Sequence, residues 1–324
     1  MQTKSMVQKF VGRGCLVLAF LLVLTLAFTG CHSKPTKIPE IPNSIAITEY
    51  EEPVLSVYVV EDKKIENMPL ETYLEGVVAG EMYTSWPLEA LKAQAILART
   101  YTLHFVKNKG NSKYEGADIS TDISEAQAYN KDGVNDRVKQ AVRETRGVVL
   151  ANDGEFIESW FHSNSGGKTA SVKEGLGGNE TPEFVKIATS PETERNAQNT
   201  TWSATFAKTE ILNALRKLNI SVPSVSSVSV KTRGESGRAL TLNIGGKTVD
   251  APALSLALGS TKMKSTYLTN IETTSTSVIM QGKGYGHGVG LSQWGAKILA
   301  EEGKTAKQIV QHYYQNIDVV KLYT

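Results

Sequence analysis

Two dense segments at opposite ends of the chain constrain its fold most: Leu74–Tyr101, LEGVVAGEMYTSWPLEALKAQAILARTY, and Gly284–Ala296, GYGHGVGLSQWGA. Pro69–Gly80 has Leu70, Tyr73, Leu74, Val77 and Val78 at helical spacing, and Pro87 sits where the next helix can begin. Leu88–Val106 continues as an Ala-rich helix with Leu91, Ala95, Ala98 and Thr102 on one stripe. Each dense segment sets one or two polar groups, Glu81 in the first and His287 with Gln293 in the second, among small, apolar or backbone-permissive residues. That is the composition of an active-site wall.

Between and around them the elements alternate without a regular βαβ rhythm. Val54–Val60 reads as a strand, Val134–Thr145 as a helix, and Val148–Leu150 with Phe156–His162 as a hairpin turned at Asn152-Asp153-Gly154. From Thr201 to about Leu268 the texture changes to a strand, the helix Lys208–Leu218, a Ser/Val-rich strand, a hairpin around Gly245-Gly246 and a short helix. This stretch, 201–268, reads as an inserted α/β subdomain. Helices at Ser292–Glu302, stopped by Gly303, and Ala306–Tyr314 close the chain. Because strands and helices are segregated, the expected class is α+β, with mixed helices and antiparallel strands forming a grooved domain over 54–324.

The N-terminus bears on compartment. Lys4, Lys9 and Arg13 precede an apolar run, Leu16–Phe28, broken only by Thr25 and ending in Thr29-Gly30-Cys31. Residues 1–31 therefore have the layout of an export signal. The Gly30-Cys31 junction points to a lipoprotein with Cys31 as lipid anchor, and an uncleaved membrane anchor is the alternative. Either leaves the folded part outside the cytoplasmic membrane. Residues 32–53, with Pro35, Pro39, Pro42 and Pro53, read as a semi-extended tether. Cys15 and Cys31 are the only cysteines, so the mature domain has no disulfide, cysteine-bound metal or catalytic thiol. Removing the three signal charges takes the formal net charge from +2 to −1, which argues against nucleic acid as a partner.

Glu81 lies in apolar and aromatic surroundings, with Met82, Tyr83 and Trp86 close by. Such surroundings disfavour the charged form, raise the carboxyl pKa and suit a general acid. The alternative is a surface glutamate at a helix end, as Glu71, Glu75 and Glu89 read on their helix flanks. The glycines from Gly282 to Gly290 miss the dinucleotide fingerprint, since Val289 or His287 stands where the third glycine is required. They instead permit close backbone approach. His287 either orients a sugar or carboxylate or is a hydrogen-bonded structural histidine, and Gln293 is a candidate saccharide donor. A third candidate wall is Phe161-His162-Ser163-Asn164-Ser165-Gly166-Gly167-Lys168-Thr169, a polar turn after a strand. It lacks the G-x-S-x-G elbow of a serine hydrolase, and the histidines lack H-E-x-x-H spacing for catalytic zinc.

Five ordered motifs, EGVVAGEM with WPLEALKAQAILARTY, TDISEAQAYN at Thr121–Asn130, FHSNSGGKT, GYGHGVGLSQWGA and the closing HYY at His312–Tyr314, resemble the SpoIID/LytB family over about Val54–Tyr314. The resemblance implies a peptidoglycan lytic transglycosylase that cuts between N-acetylmuramic acid and N-acetylglucosamine, with the family's catalytic glutamate at Glu81. It further implies a groove lined by Arg99, the loop residues His162, Ser163, Ser165, Gly166 and Gly167, and Tyr285, His287 and Gln293. No cofactor is implied. Some relatives bind structural zinc, but the matching positions here are Tyr114, Ser120 and Ala126, so no metal is expected. Implied partners are glycan strands stripped of stem peptides and the amidase that strips them. The lipoprotein-like start departs from the sporulation member's ordinary membrane helix and points to a vegetative or germination-linked relative. The competing expectations are a noncatalytic peptidoglycan-binding enhancer of an amidase and a cell-envelope scaffold.

Overall fold

Alternation in VLSVYV buries Leu55 and Val57 completely and makes Val54–Val59 the first strand, β1. The computed structural model describes residues 36–48, 51–110, 112–193 and 200–324, and Ile38–Thr324 form one compact unit. The expected export signal and Cys31 lie outside the described residues. No helix among the described residues is long and apolar enough to cross a membrane. The end of the expected tether is not free of the body. Ile45 is buried in the main core, and Val54 N–H donates to its carbonyl, because Ile41 and Ile45 supply apolar surface that the prolines do not hide.

β2 (Lys64–Pro69) returns antiparallel beside β1, and β3 (Ile119–Ser120) pairs parallel on its other edge. Helices α1 (Leu70–Glu81) and α2 (Leu88–Lys109) follow Pro69 and Pro87, whose extended backbone (ψ 140° at both) admits the helix while terminating what precedes it. In α3 (Asp136–Glu144), Asn135 caps the Val138 amide, and Val138, Ala141 and Val142 face inward. β4 (Val148–Asn152) and β5 (Glu155–Phe156) form the expected hairpin. Positive φ at both Asp153 (48°) and Gly154 (88°) gives the two-residue turn whose twist matches the strands. The expected strand Phe156–His162 is divided, however. β5 ends at Phe156, and β6 (Phe161–His162) leaves the hairpin to pair elsewhere.

After the short α4 (Val172–Leu176), the chain builds a second core. It comprises β7 (Thr201–Ala207), α5 (Lys208–Lys217), β8 (Val228–Arg233), β9 (Ala239–Ile244), β10 (Lys247–Asp250), α6 (Ala251–Leu258), β11 (Leu268–Thr273) and β12 (Ser277–Lys283). Two antiparallel sheets, in strand orders β10-β9-β8 and β11-β12-β7, enclose Phe206, Leu242, Ile244, Leu254 and Met280. β13 (Leu291–Ser292), α7 (Gln293–Glu301), α8 (Ala306–Tyr313) and β14 (Asp318–Lys321) then return to the first core. There α2 is the central helix, in contact with α1, α3, α7, α8 and β4. The fold is α+β, as its segregated elements require.

Candidate active site

Glu81 is the last residue of α1. Met82 and Trp86 are buried beside it and pin the turn between α1 and α2. Within that turn Trp86 N–H donates to Tyr83 O (2.9 Å), and Arg137 of α3 donates to Trp86 O (3.3 Å). Gly80 explains what meets Glu81. A Cβ at Gly80 would lie 2.7 Å from the Ala128 carbonyl carbon and the Tyr129 nitrogen, so only glycine lets the AQAYN stretch run against the helix end. That approach brings Ala128 N–H to Glu81 Oε1 at 2.7 Å, and Gln293 Nε2 of α7 donates to Oε2 at 3.1 Å. Burial pushes the Glu81 carboxyl above its ordinary value of 4.5, against the opposing pull of those two donors. A helix C-terminus, the negative end of the macrodipole, disfavours the anion further.

The two other candidate walls are joined to each other. β6 and β13 pair in parallel, Phe161 with Leu291 and His162 with Ser292, and Asn164 and Tyr285 exchange two backbone hydrogen bonds, 3.0 and 2.7 Å. Gly284, Gly286, Gly288 and Gly290 all have positive φ, which gives the alternating run its tight path against β6. His162 Nδ1 donates to Val289 O (3.1 Å), and its buried Nε2 meets no partner among the described residues. His287 Nδ1 accepts from Val289 N–H (3.1 Å), and the two imidazole centres stand 5.5 Å apart. Burial holds both rings neutral, with His287 pushed down to about 4 and His162 well below its usual value. Tyr285 is half-buried, its ring 5.1 Å from Lys264 Nζ.

Glu192 was not singled out by the sequence, yet it ties these walls together. Its buried Oε1 receives Ser165 N–H (2.7 Å), Ser165 Oγ–H and Ser292 Oγ–H (2.9 Å). Ser292 Oγ in turn caps α7 by accepting from Gly295 N–H (3.3 Å), at the helix end that carries Gln293. One of two glutamates in the polar run Ser-Pro-Glu-Thr-Glu, it gave no signal of this. Arg238, at the edge of the second core, donates to Ser165 O and Lys168 O, both at 2.7 Å, and clasps the Gly166-Gly167 turn from the other side. Burial pushes its guanidinium down to about 10.

Arg99 is not a groove residue. Its side chain is 0% exposed and forks onto Glu71, Nε to Oε1 at 2.9 Å and Nη2 to Oε2 at 2.5 Å, while Nη1 donates to Val148 O at 2.9 Å. Glu71 is accordingly no solvated flank residue. It is 7% exposed and also accepts from Gly147 N–H (3.2 Å) and Tyr323 O–H (2.6 Å). At the positions matching the relatives' zinc ligands, Tyr114 stacks on Tyr58 at 4.0 Å and Ser120 Oγ donates to Glu125. Among the implied residues, Gln293 is the one that bonds Glu81 directly.

Fold and site together describe a protein whose Glu81 carboxyl, sheltered at a helix end, is bonded by Gln293 from the segment that follows the glycine-rich run. A family model described as stage II sporulation protein matches residues 59–151, and one described as a domain of unknown function (DUF8618) matches residues 179–290. Stage II sporulation protein D of Bacillus amyloliquefaciens is 31% identical over 83% of this chain and 79% of the relative. Its Bacillus subtilis counterpart is 30% identical over 82% and 78%. An amidase enhancer of Bacillus subtilis is 29% identical over 74% of this chain and 39% of its own length. The chain belongs to the stage II sporulation protein D family, whose function is cell-wall-related.

Proposed function

We propose that this protein is a lytic transglycosylase that cleaves peptidoglycan between N-acetylmuramic acid and N-acetylglucosamine, with Glu81 as acid and base. The observation that carries the reading is the Glu81 carboxyl, sheltered at a helix C-terminus, raised in pKa by burial and met by Gln293 from the opposite wall. A carboxyl kept protonated toward neutral pH can give its proton to the glycosidic oxygen as the C1–O bond breaks. The anion left behind is received by Ala128 N–H and the Gln293 amide. It then takes the proton from the muramic 6-hydroxyl as that oxygen bonds to C1. Protons balance, no water is consumed, and the product carries a 1,6-anhydro end. Gln293 suits both states, because its amide offers a donor to the carboxylate and an acceptor to the acid. A hydrolase would need a second carboxyl beside the bond.

In this reading Ser163, Tyr285 and His287, all half-buried, border the glycan, while His162, Ser165, Gly166 and Gly167 shape the loop that presents them. The signal-like residues 1–31 support attachment through Cys31 to the outer face of the cytoplasmic membrane. The similarity to an amidase enhancer supports a cell-wall amidase as partner, and it also favours a second reading, a noncatalytic enhancer that binds peptidoglycan. Solubilisation of amidase-stripped peptidoglycan separates the two. The transglycosylase reading expects release by the protein with no amidase present and none by Glu81→Gln. The enhancer reading expects no release from that substrate by either protein, and faster release from intact peptidoglycan only when amidase is added, equal for both proteins.

A further inference from the structure

The two segments joined by the Glu81–Gln293 bond meet a second time, through aromatic rings. Tyr83 lies two residues after Glu81, and Trp294 one residue after Gln293. Trp86 and Trp294 pack edge to face with centroids 4.8 Å apart, Tyr83 stands 5.4 Å from Trp86, and Tyr83 meets Trp294 at 6.2 Å. Packing accounts for Trp86, which is 7% exposed and belongs to the main core. Tyr83 differs in that its ring, while touching both tryptophans, is 57% exposed and its backbone carbonyl is held by the Trp86 amide. Two residues of chain separate the Cα atoms of Glu81 and Tyr83 by at most about 7 Å, and the Trp294 ring that meets Tyr83 adjoins the Gln293 that bonds the carboxyl, so ring and carboxyl belong to one stretch of surface.

We propose that Tyr83, floored by Trp86 and Trp294, is a saccharide-stacking subsite that holds the sugar next to the one whose bond Glu81 cleaves. The inference rests on the glycan reading given above and assigns a ligand class to a surface which that reading leaves unused. A pyranose is amphipathic, with a face of C–H groups and a rim of hydroxyls and amides. The face suits the electron-rich plane of an aromatic ring, and the rim leaves its polar groups in water. An aromatic patch of this kind binds sugar weakly by itself. Its position sets the register, because a strand seated on Tyr83 carries its next glycosidic oxygen toward Glu81. The paired Trp rings keep Tyr83 from collapsing onto the core, so the platform is formed before the glycan arrives.

The test is calorimetric titration of full-length Glu81→Gln protein, which cannot turn the ligand over, with purified glycan strands freed of stem peptides. Tyr83→Leu in that background keeps apolar bulk and removes the ring. It is expected to weaken binding roughly two- to tenfold with an unchanged melting temperature, and Tyr83→Phe is expected to recover most of the loss. Equal affinity of the Leu variant and its parent would overturn the subsite and leave the Glu81 reading standing. Absence of strand binding by the Glu81→Gln parent would overturn both.

Discussion

Arg99→Met should unfold this protein more readily without touching any surface a substrate could reach. The guanidinium is fully buried and makes a two-pronged contact with Glu71, at 2.9 and 2.5 Å, plus a bond to Val148 O at 2.9 Å. Removing it leaves the Glu71 carboxylate, 7% exposed, with only the Tyr323 hydroxyl and the Gly147 amide among its described partners. Breaking one side of such a pair costs about 3–5 kcal/mol, mostly the penalty of the charge left behind. Against a stability of about 5–15 kcal/mol, that is about a fifth or more of the total, and it lowers a urea midpoint by about 1 M or more. The double variant Arg99→Met with Glu71→Met removes both charges, so it should cost clearly less than the two single changes added together. Urea unfolding of the four proteins, followed by tryptophan fluorescence, measures this coupling. An Arg99→Met protein as stable as the parent, or strict additivity in the double variant, would refute the argument and return Arg99 to a functional role.

Glu81→Gln should raise the melting temperature at neutral pH. A folded-state pKa above the ordinary value of 4.5 means stability is lost as pH rises through it, so the advantage of the variant should vanish below about 4.5. Glu71 runs the other way. Burial alone would raise it, but Arg99 and its other donors hold it below 4.5, so its contribution is present above that value and lost on acidification, visible as acid unfolding that Glu71→Gln blunts. Glu192→Ala, which strands the Ser165 amide and empties a buried site, should cost about 2–4 kcal/mol by urea unfolding and lower strand cleavage by loosening Gln293. Gly290→Ala, at φ 71° and with its new Cβ against the Trp160 carbonyl, should cost about 2–4 kcal/mol by the same measurement.

Local pattern carried much of the fold. Apolar spacing with Pro69 and Pro87 at the helix entrances marked α1 and α2, and Asp153-Gly154 marked the β4–β5 turn. β2 escaped because KIENMP is a mostly exposed edge strand in which only Met68 is buried, so its alternation is invisible. β13 escaped, and β6 was merged into the expected strand Phe156–His162, because each pairs over two residues with a partner 130 positions away, too short for any period. At the site, Glu81 and Gln293 were legible from their surroundings, and the structure links them directly. Ala128 acts through a backbone amide, which no residue type announces, and its signal lay in Gly80 opposite. Glu71 and Arg99 sit on separate helices, 28 residues apart, and their burial is decided by how α1 and α2 pack, which flank composition does not report.

The central claim is that Glu81 transfers a proton in a reaction without water, and the chemistry of the cut end reports on it directly. Amidase-stripped peptidoglycan incubated with the protein or with Glu81→Gln, and analysed by mass spectrometry of soluble fragments, should give 1,6-anhydro-muramic ends with the unaltered protein alone. Anhydro ends from Glu81→Gln as well, or reducing ends from the unaltered protein, would contradict it.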